Sequence, residues 1–241
     1  PEEEAALVDM LMTLSAIACE IPDIETISMP ALPLGDGVTL DAGRIPVHVA
    51  ARSGEVRASG YRHMAIHPYP SELECRLSLP GGDPLFIRPM RPEDAVMEQR
   101  FVDGLSAQSR YYRFMYRLDH LSTAMLARFT QIDYDREMAL VAVVDCDMPG
   151  ERIVGVSRYA VNPDAVSCEF ALAVADETQG RGIGSRLMET LFRVARERGL
   201  ELMEGEVLAH NRKMLALCRG LGFVLRRRLD EPDIVAVSRP L

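Results

Sequence analysis

The chain reads as an α/β protein of the α+β kind, with a mostly antiparallel central sheet flanked by helices and a smaller, separate segment ahead of it. Three observations carry that reading. Two apolar, β-branched runs, residues 138–144 and 153–161, flank a polar connection containing Pro149-Gly150, which is the pattern of a hairpin. A strand, a glycine-rich turn and a long amphipathic helix follow over residues 169–199, and after them come another strand, a short helix and terminal strands. The residues before 83 do not share this order, and they include a stretch rich in Gly, Pro and charge.

Taken in order, residues 85–88 are a first strand, and Pro92-Glu93-Asp94 opens a helix, with proline early and acids in the first turn. Helical stretches are expected over residues 95–103, 106–114 and 122–129. In the strand through Glu169, Phe170, Leu172 and Val174 alternate with Ala171 and Ala173, as in a strand that meets different surroundings on its two faces. Beyond the turn, Ile183, Leu187, Leu191, Val194 and Ala195 recur at helical spacing until Gly199 ends the run. Residues 200–207 read as the next strand, Asn211 opens a short helix, and Gly220-Leu221-Gly222-Phe223 closes it. Ahead of this unit, residues 5–18 predict an amphipathic helix, and residues 25–34 and 37–45 predict short strands joined by Gly35-Asp36-Gly37. The expected division is therefore an N-terminal piece over 1–53, a linker over 54–82 and the main domain over 83–241.

A chain of 241 residues with 48% hydrophobic and 26% charged side chains can bury a sizeable core and has the balance of a globular protein. Acidic residues outnumber basic ones, 36 to 27, for a formal charge of -9. That balance argues against nucleic acid or an anionic membrane as the main partner and fits a basic one, such as a lysine-bearing protein surface. No apolar run approaches the length of a membrane span or forms a signal-peptide core. The five cysteines are widely spaced with no CxxC, which reads as reduced thiols in the cytoplasm. His48, His63, His67, His120 and His210 form no ligand spacing with Cys or Glu, so no metal site is expected.

The most informative stretch is Gln179-Gly180-Arg181-Gly182-Ile183-Gly184, followed by Ser185. Its glycines let the main chain bend and a ligand approach, while the bare N–H groups and the dipole of the following helix favour an anion. By itself this is either a phosphate cradle or a tight loop at a helix start. A dinucleotide fingerprint is excluded because the third glycine comes one position early and Ser185 stands in its place, and a P-loop is excluded because Gly-Lys-Ser/Thr is missing.

The spacing resembles the Q/R-x-x-G-x-G/A signature of the GNAT family of acyl-CoA-dependent N-acetyltransferases, with Gln179, Gly182 and Gly184 at the signature positions. The order of strand, Asn-led helix, Gly-Phe and final strands is similar to the way members of that family end. Residues 87–94 (IRPMRPED), 109–114 (SRYYRF) and 125–138 (MLARFTQIDYDREM) resemble the GNAT domain of bacterial protein lysine acetyltransferases of the Pat type, and residues 61–70 (YRHMAIHPYP) resemble their connector. The N-terminal piece resembles the tail of an ATP-grasp domain, with Leu40-Asp41-Ala42-Gly43-Arg44 keeping much of one motif. Ile27 and Met29 stand where the metal-facing residues of that motif would be, so this copy is not expected to bind Mg-nucleotide. The pairing suggests a chain excised from a longer acyl-CoA-synthetase-like protein, although a native Met-Pro start remains open.

The resemblance implies acetyl-CoA as donor substrate and a protein lysine as acceptor, in particular a lysine of an AMP-forming acetyl-CoA synthetase, with direct transfer in a ternary complex. A lysine ammonium has a pKa of about 10.4, so exposing its lone pair at pH 7 costs about 4–5 kcal/mol, which a carboxylate base helps to meet. Glu169, which interrupts an apolar strand, is either an edge glutamate facing solvent or that base, and Pat-type enzymes use a glutamate at the matching place. Its apolar neighbours would raise its pKa by desolvation. Backbone amides near Leu172, Ala173 and Val174 would hold the pantetheine arm and polarise the thioester carbonyl, and amides from Gln179 through Gly180, Arg181, Gly182, Ile183 and Gly184 to Ser185 would hold the pyrophosphate. Arg181 is either an extra charge on the phosphates or a solvated side chain, and Asn211 either bonds the pantetheine or caps its own helix.

Many members of the family have a tyrosine acid seven residues after that asparagine. Here the position is Cys218, read as a small packing residue or as a weak acid. Tyr111, Tyr112 and Tyr116 read as core or surface aromatics. Two other functions stay open on the sequence: a GNAT enzyme for a small amine or a protein N-terminus, and a non-catalytic acyl-CoA sensor. An open, acidic acceptor cleft would favour protein acceptors.

Overall fold

The computed structural model describes residues 2–21, 24–29, 47–51, 67–79, 81–146, 148–228 and 231–241, which fall into two compact units, 1–68 and 69–241. In the first, helix α1 (Glu2–Glu20) covers the expected 5–18, and strand β1 (Ile24–Ser28) pairs antiparallel with β2 (His48–Ala51). The sequence reading did not anticipate β2. The strand expected at 37–45, the Leu40–Arg44 motif and most of the proposed linker lie outside the described residues.

The second unit is one eight-stranded sheet with helices on both faces. Its chain order is β3 (Cys75–Ser78), β4 (Pro84–Pro89), α2 (Ala95–Gly104), α3 (Ala107–Phe114), α4 (Thr123–Thr130), β5 (Glu137–Val144), β6 (Arg152–Val161), β7 (Ser167–Val174), α5 (Ile183–Glu197), β8 (Leu202–Leu208), α6 (Arg212–Gly220), β9 (Val224–Arg227) and β10 (Ile234–Pro240). In the sheet the order is β3-β4-β5-β6-β7-β8-β10-β9. Every neighbouring pair is antiparallel except β7 and β8, whose crossover is α5. Residues 75–78, read as linker, instead form the edge strand β3 against β4. The glycines and prolines around them mark its turns, and composition alone cannot separate a turn-bounded edge strand from a spacer.

The middle of the sheet is the core: Met138 to Val143 on β5 are fully buried. Helix α5 packs on one face, where a Cβ on Gly155 of β6 would lie only 2.9 Å from Leu187 and 3.1 Å from Ile183. That close approach is why the residue is glycine. The other face takes α2 and α4, with Arg158 of β6 donating to the Phe129 carbonyl at 2.9 Å. Asp94 anchors this layer, because its carboxylate receives both arms of the buried Arg88 guanidinium at 2.6 and 2.7 Å and the Arg91 N–H at 2.7 Å.

Candidate active site

Strands β7 and β8 pair only over Ser167↔Leu202, Cys168↔Met203 and Glu169↔Glu204, although β7 continues to Val174. Past Glu169 the two strands part, and β7 presents one unpaired edge. The Ala175 N–H donates to Val154 O at 2.9 Å, so the alternation of an antiparallel ladder turns the amides of Leu172 and Val174 toward the gap. The Val174 carbonyl on that edge is taken by Gln179 Nε2 at 3.2 Å, while Gln179 Oε1 accepts from Lys213 Nζ at 2.8 Å. The signature glutamine thus ties the turn to the open strand on one side and to α6 on the other.

The turn has the strained geometry that its glycines permit: Gly180 has φ 78° and Gly182, the N-cap of α5, has φ 86°. No side chain caps α5, which leaves the amides of its first turn directed outward at the positive end of the helix dipole. The gap and the turn open into one cleft of about 880 Å³ whose far wall is α3. Asp176 holds that wall to the turn, accepting from the Ser106 N–H at 2.8 Å and from Ser109 Oγ at 2.6 Å.

Every binding residue expected from the sequence lines this cleft except Arg181. Arg181 pairs instead with Asp83, which agrees with the surface reading of its side chain. Asn211 is buried and lines the cleft, and its Oδ1 accepts from the Met214 N–H at 3.2 Å as the cap of α6, the second of its two expected roles. Cys218 does not line the cleft; it is 1% exposed and burial pushes its thiol up to about 11, so it is a packing residue. Tyr112, read as a core or surface aromatic, lines the cleft and donates weakly to the His210 carbonyl at 3.4 Å.

Glu169 lines a second, smaller pocket of about 200 Å³ on the α2 and α4 face of the sheet. Arg113 of α3 lines both hollows, so the two adjoin. Glu169 is exposed, contrary to the expectation that apolar neighbours desolvate it. Phe170 and Leu172 point to the opposite face, as alternation along a strand requires, and Ala171 beside Glu169 is too small to cover it. Among the described residues no hydrogen bond or ion pair engages the Glu169 carboxylate.

Nor is the smaller pocket acidic. Three arginines from three elements reach it, Arg113, Arg128 and Arg158, together with Glu137 and Glu169. Arg128 is neutralised by Glu137 at 2.5 Å. Arg113 and Arg158 lie against the Phe129 ring at 5.9 and 4.7 Å, and burial holds both guanidiniums below the usual arginine range, Arg113 at about 10. Behind them Glu98 of α2 is 5% exposed, with Oε2 unbonded, and burial pushes its carboxyl up to about 7 against the pull of Arg158 and Arg113. Sequence reading missed Arg113, Arg128, Arg158, Glu137 and Glu98. The only available signal was the spacing of Ser106, Ser109 and Arg113 on one helix face, which does not say what that face meets.

Among the described residues, no group of three or more His, Cys, Asp or Glu is placed to hold a metal ion, and no helix is long and apolar enough to cross a membrane.

Comparison with known proteins gives the same architecture a lineage. Residues 105–223, which contain α3, the gap, the turn and α6, match the acetyltransferase (GNAT) family. The chain is 42% identical over 155 residues to Acetyltransferase PA5475 of Pseudomonas aeruginosa, covering 64% of this chain and 82% of that one. It is 29% identical to Acetyltransferase Pat of Mycolicibacterium smegmatis over 65% of this chain, and it spans only 48% of that longer protein. The crystal structure of the GNAT domain of S. lividans PAT superposes with a TM-score of 0.67 and 31% identity, over 72% of this chain and all of that domain. With the split between β7 and β8, the uncapped turn and these relatives, the chain belongs to the GNAT family and is an acetyltransferase similar to the Pat protein acetyltransferases.

Proposed function

We propose that this chain transfers the acetyl group of acetyl-CoA to the Nε of protein lysines, acting directly on a ternary complex, and that an AMP-forming acetyl-CoA synthetase is among its acceptors. The observation that carries the reading is the placement of Glu169: an exposed carboxylate with no partner among the described residues, in an open pocket that adjoins the donor cleft. A lysine on a protein surface reaches such a site without having to enter an enclosed cavity.

Glu169 takes a proton from the lysine ammonium, directly or through water, and the free amine adds to the thioester carbonyl. The amides of Leu172 and Val174 stand on the open edge of β7 to hold the pantetheine and the oxyanion, and the first-turn amides of α5 hold the pyrophosphate. The adduct nitrogen gives up its second proton to water, collapse breaks the C–S bond, and the released CoA thiolate is reprotonated from solvent, since Cys218 is buried away from the cleft.

The test is to incubate a purified acetyl-CoA synthetase with this chain and acetyl-CoA and to map acetyl-lysine by mass spectrometry. Enzyme-dependent acetylation of specific lysines is expected. Unmodified lysines remove the named acceptor, and the absence of transfer to any protein would favour an acyl-CoA sensor.

A further inference from the structure

Acetyl transfer to lysine requires a base and a donor site, and neither role explains the arginines in the pocket that holds Glu169. Arg113, Arg128 and Arg158 reach it against Glu137 and Glu169 on its lining and Glu98 behind, and Glu169 is taken up with the acceptor amine. Arg128 already has Glu137 as a close partner, which leaves Arg113 and Arg158. Arg113 has no hydrogen-bond partner among the described residues, Arg158 spends one nitrogen on the Phe129 carbonyl, and the Arg158 Nε is buried without a partner. Behind them Glu98 has an oxygen without a partner among the described residues and is pushed up to about 7 by burial, so near neutral pH it is only partly charged. Two guanidiniums that face each other's field, are partly removed from water and lack a full counter-charge are costly unless an anion completes them.

The same pocket has a second property. Glu169 lines it too, on the strand next to Arg158 and diagonal to it on the same face, since Arg158 is paired with Ala171 and Ala160 with Glu169. A ligand that occupied it would therefore meet a carboxylate and guanidiniums side by side. That polarity suits a group carrying an amine and an acid a few ångströms apart.

We infer that the pocket reads the acceptor's sequence as well as its amine: Arg113 and Arg158 bind the side-chain carboxylate of an Asp or Glu that lies beside the target lysine. This rests on the reading of the chain as a protein lysine acetyltransferase with Glu169 at the acceptor amine. It makes the acceptor site locally complementary to an acid even though the protein as a whole is acidic, with a formal charge of -9. Selection then comes from a paired motif in which the lysine ammonium faces Glu169 and its acidic neighbour faces the arginines. A planar guanidinium fork suits carboxylate recognition better than a lysine would.

The experiment uses the intact chain, saturating acetyl-CoA and a set of short lysine peptides. In the set, Asp or Glu is placed at each position from two before to two after the lysine, and each acidic peptide is compared with its Asn or Gln counterpart. At one or more of these positions the acid is expected to raise kcat/KM over the amide by roughly tenfold or more, the order of a charge-assisted hydrogen bond, with the gain in KM. Arg158→Gln is expected to abolish that preference, and Arg158→Lys to restore only part of it. The acid-to-amide comparison on the unaltered chain needs no variant and so does not depend on how the substitutions fold. If every peptide is acetylated at the same rate with acid or amide, the inference is wrong and the lysine acetyltransferase reading stands. If no lysine peptide or protein is acetylated at all, both fall.

Discussion

The cleft proposed for the donor and the pocket proposed for the acceptor adjoin at Arg113, yet they are built from different materials. The cleft is a backbone site. Its working parts are amides freed by the parting of β7 from β8 and by an uncapped helix start, and side chains such as Gln179 and Lys213 hold that backbone in place. The acceptor pocket is a side-chain site, assembled from α3, α4, β5, β6 and β7, with charge as its main feature. The difference teaches where each function can vary: a substitution reaches the first mainly through main-chain geometry and the second through charge.

The sharpest way to separate the two is Glu169→Gln. The acceptor kcat/KM is expected to fall by about 10²–10⁴, the usual worth of a positioned base, while the dissociation constant for acetyl-CoA measured by calorimetry stays unchanged. A parallel loss of acetyl-CoA affinity would mean that the regions are not separable.

The second prediction concerns the charge behind the acceptor pocket. Because burial raises the Glu98 carboxyl to about 7 from the ordinary 4.5, the native state binds more protons than the unfolded state between those values. Stability tied to Glu98 is therefore fully present below about 4.5 and is lost as pH rises through about 7, a drop on the order of 3 kcal/mol. Urea midpoints of the wild type should show that slope, and Glu98→Gln should flatten it. An unchanged slope in the variant would assign the effect to other groups.

Gly184→Val tests the donor side. A Cβ there would stand 3.3 Å from Leu217 and 3.4 Å from Leu172, crowding the floor of the cleft. The KM for acetyl-CoA is expected to rise by roughly tenfold, as for a misplaced binding contact, with the KM for the acceptor unchanged. Cys218→Ala is the smallest perturbation: kcat should stay within about twofold, with a stability loss of about 1 kcal/mol from the missing atom in the core. A large fall in kcat would restore the cysteine as an acid.

The same contrast explains what could be read in the sequence. The order of elements in the second unit was legible because its strands and helices carry clean periodicities: Ile183, Leu187, Leu191, Val194 and Ala195 are all buried on α5, and Ser106, Ser122 and Asn211 are the caps of the helices they precede. That the residues of the turn would line one cleft was legible because glycine spacing is a local signal, and a backbone site is made by a contiguous turn. The arginine cluster was not, since Arg113, Arg128 and Arg158 meet only through tertiary packing and each resembles an ordinary surface cation in its own segment. Edge strand β3 was hidden for the opposite reason, because a short strand between turn residues has too few positions to show alternation. The exposure of Glu169 followed from the face on which it falls, which the apolar neighbours in sequence do not share.

The central claim is that donor and acceptor occupy these two adjoining regions at the same time. Initial-velocity measurements with acetyl-CoA and a lysine acceptor varied together test it directly. Intersecting reciprocal plots, with no acetylated enzyme after incubation with acetyl-CoA alone, are the predicted result. Parallel plots, or an acetyl group recovered on the chain itself and then passed to the acceptor, would contradict it.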